Sequence, residues 1–290
     1  MNITWLLLAL GAAITNSAHQ AMISYAVSLN RFSKFTIAFF TTAFAAPILF
    51  FISYLRGFPA VSEKFWMAIG TTVVLNFIAM PIMLKAYEIG EFSSVYSMIL
   101  LTPVFLLFTS FVLIGERPTF YGGAGVMLTV VGLGYLTNSA RDKHQEAGHF
   151  LKGPLLGVLV AFIYSISTNY DKLGAQYSDA IFSAATGSLF LAILNGIYLL
   201  FKYRKAPMAD DFKFSNFLIL LPLGLILALT QIIHNSALLY GLVSYTIAVK
   251  RIGILFGVVW GWLFFKEKDI AKKFIGAGVA VSGVILILFS

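Results

Sequence analysis

Apolar windows long enough to cross a bilayer as helices, about 20 residues each, follow one another almost without pause along this chain. They run Ile3 to Leu29, Phe35 to Leu55, Phe65 to Leu84, Phe92 to Gly115, Pro118 to Thr137, Pro154 to Tyr170, Ala180 to Phe201, Phe214 to Tyr240, Val243 to Phe265 and Phe274 to Ser290. Between Phe214 and Val249 there is no Asp, Glu, Lys or Arg, and 36 residues is too long for one crossing, so a boundary is set at Gly241-Leu242. Alternation at period two is absent, which argues against a β-barrel and for helices. Only 11% of the 290 residues are charged and mean hydropathy is +0.89, whereas about a quarter of a soluble domain is charged. The expected fold class is an all-α membrane protein with ten transmembrane helices. It would be an integral, multi-pass protein of the cell membrane, with the lipid bilayer as its first partner.

The same composition excludes several function classes. There is no cysteine, so thiol nucleophiles, zinc–thiolate sites and iron–sulfur clusters are ruled out, and no motif calls for a cofactor or a metal. A net charge of +8 could attract nucleic acid, but no Lys/Arg-rich polar helix face with aromatic platforms exists. The basicity reads as membrane-flanking charge. The first window lacks a basic leader and carries Asn16, His19 and Gln20 in its middle, so it is expected to stay as a span rather than be cleaved as a signal peptide. The polar segments around Asn138 to Gly153 and Lys202 to Lys213 are too short for a domain. Chemistry must therefore sit in the bundle or at its mouths.

Sliding the chain on itself gives an internal register of 151 residues. Gly90 falls on Gly241, Ser93 on Ser244, Glu116 on Glu267, Gly125 on Gly276, Gly132 on Gly283 and Ala86 on Ala237. The stretch Phe111-Val-Leu-Ile-Gly-Glu116 matches Trp262-Leu-Phe-Phe-Lys-Glu267. An odd number of spans per copy inverts the second copy in the membrane, and inverted repeats favour a site at the midplane between halves. The expected division is a first five-helix repeat over 1–138, a polar linker over 139–152 and a second repeat over 153–290.

With its A-x-x-x-G before a span, its spans closing on Gly115-Glu116 or Lys266-Glu267, and the short polar turn and Gly-bearing span that follow, the chain resembles the drug/metabolite transporter superfamily, in its EamA-like family of ten-helix proteins. The resemblance covers nearly the whole chain. It implies export or exchange of small metabolites, a turn-and-packing role for Glu116 and Glu267, and both termini inside the cell. One departure stands out. The family commonly carries a proline in both the fourth and ninth spans; here Pro103 is present, but its partner position is Ile254, and Lys250-Arg251 stand four residues earlier.

Lys250 and Arg251 lie about eight residues inside the ninth span, roughly 11 Å from its end at 1.5 Å per residue. Cations at that depth need a cavity and a partner. Their repeat partners are Ile99 and Leu100, so the basic pair was added to one half only. A substrate carboxylate or phosphate would neutralise it; Asp171 and Glu88 are the candidate protein partners, and a structural pair or one snorkelling to the interface is the alternative. Three polar stripes at helical spacing complete the candidate substrate site. They are Gln231, His234 and Asn235 in span eight, Asn16, His19 and Gln20 in span one, and Tyr164, Ser167, Thr168 and Asp171 in span six. Interhelical hydrogen bonding is their other use, at about 0.6 kcal/mol each. Asn76, Tyr96 and Ser97 are weaker candidates of the same kind.

His19, His234 and Asp171 are candidate proton carriers, the histidines because their ordinary pKa lies near 6.5. Asp171 could equally pair with its neighbour Lys172. Gly253, Gly257 and Gly261, four apart, form a helix-packing face. Trp5, Trp66 and Trp262 fit interfacial anchoring, with Trp260 deeper. Loops after odd-numbered spans hold 14 Lys and Arg against 4 after even-numbered ones, so the positive-inside rule puts both termini outside, against the family's implication. The expected function is secondary active transport of a small metabolite, an amino acid or related organic anion, by alternating access, with proton coupling as an option. A membrane-embedded enzyme on a lipid-linked substrate, or a channel or sensor, is the rival. No enzyme motif is present, and oligomeric state is unreadable.

Overall fold

The computed structural model describes residues 3–29, 32–89, 95, 98–139, 152–203, 214–253, 255–256 and 270–290. Among them are ten helices: α1 Ile3–Ser28, α2 Lys34–Leu55, α3 Glu63–Ile89, α4 Thr102–Ile114, α5 Phe120–Ser139, α6 Lys152–Tyr177, α7 Ala180–Tyr203, α8 Phe214–Tyr240, α9 Val243–Arg251 and α10 Ile270–Leu288. Six are long and apolar enough to cross a membrane, and three shorter apolar helices cover Thr102–Ile114, Phe120–Tyr135 and Ile275–Leu288. Glu267, Gly257, Gly261, Trp260, Trp262, Tyr96 and Ser97 lie outside the described residues, and so does the side chain of Glu88.

Local chemistry explains where helices begin and end. Asp179 Oδ1 accepts from the backbone N–H groups of Ile181 at 2.6 Å and Phe182 at 2.8 Å, capping α7, and Ser33 does the same for α2 through Thr36 N at 3.1 Å. Gly115 closes α4 in a left-handed conformation at φ 71°, which a residue without Cβ adopts at no steric penalty. Pro47, Pro81 and Pro222 sit inside long helices, tolerated where neighbouring helices re-satisfy the freed backbone.

The outer surface is apolar and the interior is mixed. Leu7, Phe51, Val112, Phe201 and Leu225 are exposed, while Thr72, Ser167, Asn169, Thr246 and His234 are buried. That is the distribution expected where hydrocarbon is the surrounding solvent. Trp5 is a correction to the sequence reading: instead of anchoring at an interface it is fully buried, and its Nε1 donates to Thr246 Oγ1 at 2.8 Å, tying α1 to α9. The physical reason is the gap that Gly241 leaves, since a Cβ there would run into the Trp5 indole.

The repeat appears in space as reciprocal contacts. A Cβ on Gly125 would lie 2.6 Å from the Gly283 carbonyl oxygen, and one on Gly132 would lie 2.7 Å from that of Gly276. Residues 125 and 276 are repeat equivalents, as are 132 and 283. Each glycine thus meets the equivalent of the other, the signature of a two-fold axis between like surfaces. The index rises on α5 while it falls on α10, so the two helices run antiparallel. Thr129 Oγ1 reaches the carbonyl of its own equivalent, Ala280, at 3.4 Å. Helix pairing follows the same rule, with α3 on α6 and α8 on α1, α4 on α6 and α9 on α1. Gly283→Ala is expected to lower the melting temperature in detergent, because backbone must shift to admit the methyl group at about 1–3 kcal/mol. Gly278→Ala on the same helix, with open space at its Cβ, is expected to leave it unchanged or raise it.

Candidate functional site

Within the ninth apolar window, Val243 to Phe265, the structure shows a break in the helix. Helix α9 ends at Arg251, with Ile252 as its C-cap. The turn there is built from short-range bonds, Ile252 N to Val249 O at 3.0 Å and Leu255 N to Ile252 O at 2.8 Å. Before α4 the same pair recurs at the repeat spacing, Leu101 N to Met98 O at 3.1 Å and Val104 N to Leu101 O at 2.9 Å. The chain is thus kinked at equivalent points in both halves. Pro103, at the start of α4, explains the first kink, because it has no N–H to continue a helix. At the second kink Lys250 and Arg251 occupy the last turn of α9, where the negative end of the helix dipole favours cations. Arg251 Nη2 touches Thr102 Oγ1 of the opposite kink at 3.5 Å, so the two kinks meet near the axis.

Around Lys250 the bundle gathers groups from four helices. Lys250 lies within Coulombic reach of His19 on α1, Asp171 on α6, His234 on α8 and Arg251 beside it. Arg251 is within the same reach of Tyr164, whose hydroxyl points at Met83 Sδ, 3.7 Å away. Three buried polar atoms in this region have no hydrogen-bond partner: His19 Nε2, His234 Nδ1 and Arg251 Nε. Buried polar groups are nearly always paired, so these three atoms leave bonding capacity unused close to Lys250.

Beside them a cavity of about 100 Å³ opens between α3, α6, α7 and α8. Its polar wall includes Asn76, Asp171, Ser188, Gln231, His234 and Asn235. A chain of hydrogen bonds orders one side of it. Asn76 Nδ2 donates to Ser167 Oγ at 2.9 Å, Ser167 and Thr72 hydroxyls share a bond of 2.8 Å, and Thr72 Oγ1 donates to Asp171 Oδ1 at 2.5 Å. Since the Thr72 proton goes to the carboxylate, the Ser167 proton goes to Thr72. On the other side Ser188 Oγ donates to Gln231 Oε1 at 2.7 Å, and Asn235 Nδ2 to the Ala180 carbonyl at 3.2 Å. Asp171 therefore does not pair with Lys172 as the sequence allowed. Adjacent helical residues point about 100° apart, and Lys172 turns instead to Glu116, its Nζ 2.7 Å from Oε1.

The sequence-derived candidates are thus only partly assembled. Span eight's stripe and Asn76 and Asp171 line the cavity; Lys250, Arg251 and His19 stand next to it without lining it. Thr168 bonds back to the Tyr164 carbonyl at 2.7 Å, Asn16 is half-buried and Gln20 is exposed, away from the cavity wall. Gly253 packs against α1, where a Cβ would lie 2.5 Å from the Ala13 carbonyl oxygen. Thr72 and Ser188 were not singled out from sequence. Hydroxyls at helical spacing are common, and only the i, i+4 relation of Thr72 to Asn76 could have flagged the first.

The EamA-like transporter family model matches residues 3–138 and 151–289. The chain belongs to this family. The EamA match covers the chain twice, once per repeat, and identifies it as a multi-pass membrane protein of a transporter family. A solved crystal structure superposes on it with a TM-score of 0.80 at 16% identity, covering 100% of this chain and 98% of that one, which shows the shared fold. No curated protein matches the chain. Thr72→Val is expected to destabilise this EamA protein by about 1–3 kcal/mol by leaving the buried Asp171 carboxylate short of a donor, with Thr72→Ser near wild type in detergent thermal melts.

Proposed function

We propose that this EamA-family protein is a secondary active transporter with ten crossings, two inverted five-helix repeats over 1–138 and 153–290, and a substrate site near mid-membrane between them. It takes a small metabolite, an amino acid or related organic anion, and exposes it alternately to the two sides of the cell membrane. The observation that carries this reading is the convergence of unpartnered His19, His234 and Arg251 atoms around Lys250 at a kink beside a polar cavity. A cation held in a bundle is unfavourable by several kcal/mol without a counter-charge, and among the described residues no carboxylate lies within salt-bridge distance of Lys250, Asp171 acting on it only from farther off. An arriving carboxylate or phosphate would supply it.

The cavity, at about 100 Å³, is well below the roughly 300–1,000 Å³ of ordinary small-molecule pockets. Binding then requires the walls to part, which suits a carrier whose site forms and closes in turn. His19, His234 and Asp171 remain the candidate proton carriers, since they surround Lys250 and an anion entering there changes the charge around each of them.

Purified protein in detergent, melted against a panel of amino acids, organic acids and amines, is expected to be stabilised by an anionic or zwitterionic solute through mass action. Lys250→Ala is expected to weaken that solute's binding at least about tenfold, or 1.4 kcal/mol, and to abolish its saturable counterflow in liposomes. Equal stabilisation of both proteins by every effective solute would remove Lys250 from the site.

A further inference from the structure

The contact between Glu116 and Lys172 has no part in the substrate site, yet it joins more of the chain than any other side-chain contact described. Because Gly115 turns the backbone out of α4, Glu116 is brought back into the bundle and is buried. Its Oε1 receives Lys172 Nζ at 2.7 Å, and its Oε2 accepts the N–H of Val243, the first residue of α9, at 2.8 Å. Lys172 Nζ also donates to the Gly241 carbonyl at 2.8 Å. The end of α4, the last turns of α6, the end of α8 and the start of α9 are thereby clamped together. Neighbouring ties close the same face: Thr119 N to Tyr245 Oη at 2.9 Å, Asn235 Nδ2 to Ala180 O at 3.2 Å and Ser62 N to Tyr177 O at 3.0 Å. Both chain ends lie here, since Trp5 bonds Thr246 and Ser290 Oγ would stand 2.9 Å from a Cβ on Gly122.

In sequence, the cation of this clamp belongs to the second half alone. Glu116 has its equivalent in Glu267, but the α1 positions that correspond to Lys172 are Ala21 at the 151-residue spacing, and Met22 or Ile23 with a slip of one or two residues. From Ile3 to Ser28 the chain has no Lys or Arg at all. The sequence of α1 therefore holds no counterpart of Lys172. A buried ion pair whose remaining lone pairs and protons are hydrogen-bonded holds geometry firmly, and removing one member leaves a bare charge.

Resting on the alternating-access reading, we infer that Glu116 and Lys172 are positioning residues that gate the face carrying the chain termini. The empty transporter then rests with this face shut and its site reached from the opposite face. Opening requires both buried charges to exchange their partners for water entering between α4, α6 and α9.

The absence of cysteine gives a clean reporter. Ser183→Cys, on the cavity wall, is reacted with a membrane-impermeant maleimide from either side of sealed vesicles, with exposed Ser62→Cys as the reference. In the Glu116→Gln/Lys172→Met background, which removes both charges together and keeps an acceptor for Val243 N–H, labelling from the terminal face is expected to rise at least about fivefold relative to the reference, and labelling from the other face to fall. Glu116→Gln alone, which leaves Lys172 its Gly241 carbonyl, is expected to move in the same direction should the double variant fail to fold. Lys172→Arg is expected to label as the parent does. Unchanged labelling in a charge-removed variant that melts as a folded protein would overturn the gate. Solute flux in the same vesicles separates the two ideas: a labelling shift without saturable flux keeps the gate and removes the transporter reading, and flux without a labelling shift does the reverse.

Discussion

A polar atom facing hydrocarbon has no water to bond, so every hydroxyl, amide and charge in these helices must find its partner inside the bundle. Much of the architecture follows from that constraint. The hydroxyls of Thr41, Thr42, Thr71 and Thr230 fold back onto carbonyls of their own helices, whereas Thr72, Ser167 and Asn76 reach across to one another. Where the polar groups are charged the consequence is larger. Glu116 and Lys172 are nearly out of solvent, with side chains 8% and 10% exposed, and they persist because each also engages backbone at the start of α9 or the end of α8. The free N–H at a helix start is normally satisfied by a capping side chain from the residue just before it; at α9 Leu242 cannot do this, and the Glu116 carboxylate from the loop after α4 does.

Two kinds of joint divide the molecule's work. Along α5 and α10, glycines bring backbones into contact at Gly125, Gly132 and Gly283, a dry seam with no room for rearrangement. At the kinks after Val249 and Met98 the backbone departs from regular helix in both halves, and there the cations and unpartnered imidazole atoms collect. The close-packed seam and the irregular centre are thus distinct parts of the bundle. The cations at Lys250 and Arg251 occur in one half only, so the two-fold scaffold is chemically asymmetric at this point.

Much of the fold was legible from residues alone. Eight of the ten apolar windows predicted helices close to those described, and the 151-residue register identified equivalent glycines, although in space each meets the equivalent of the other, Gly125 facing Gly283 and Gly132 facing Gly276. Less of the site could be read. Helical spacing identified Gln231, His234 and Asn235 as one face, and they do share the cavity with Asp171 and Asn76. It could not tell that Gln20 would be exposed or that Asp171 and Lys172, adjacent in sequence, would serve separate networks. Spacing reports the direction of a side chain around its own axis, and not what lies on the far side.

What the sequence determined by itself is therefore the set of elements and their symmetry, because membrane solubility and helical periodicity are local properties that successive residues express without help from the rest of the chain. The partners of Glu116, Lys172, Trp5 and Thr72 were decided only by the tertiary structure. The Lys172–Glu116, Trp5–Thr246 and Thr72–Asp171 partners lie more than fifty residues apart in sequence, and the packing of distant helices brings them together where no local pattern connects them.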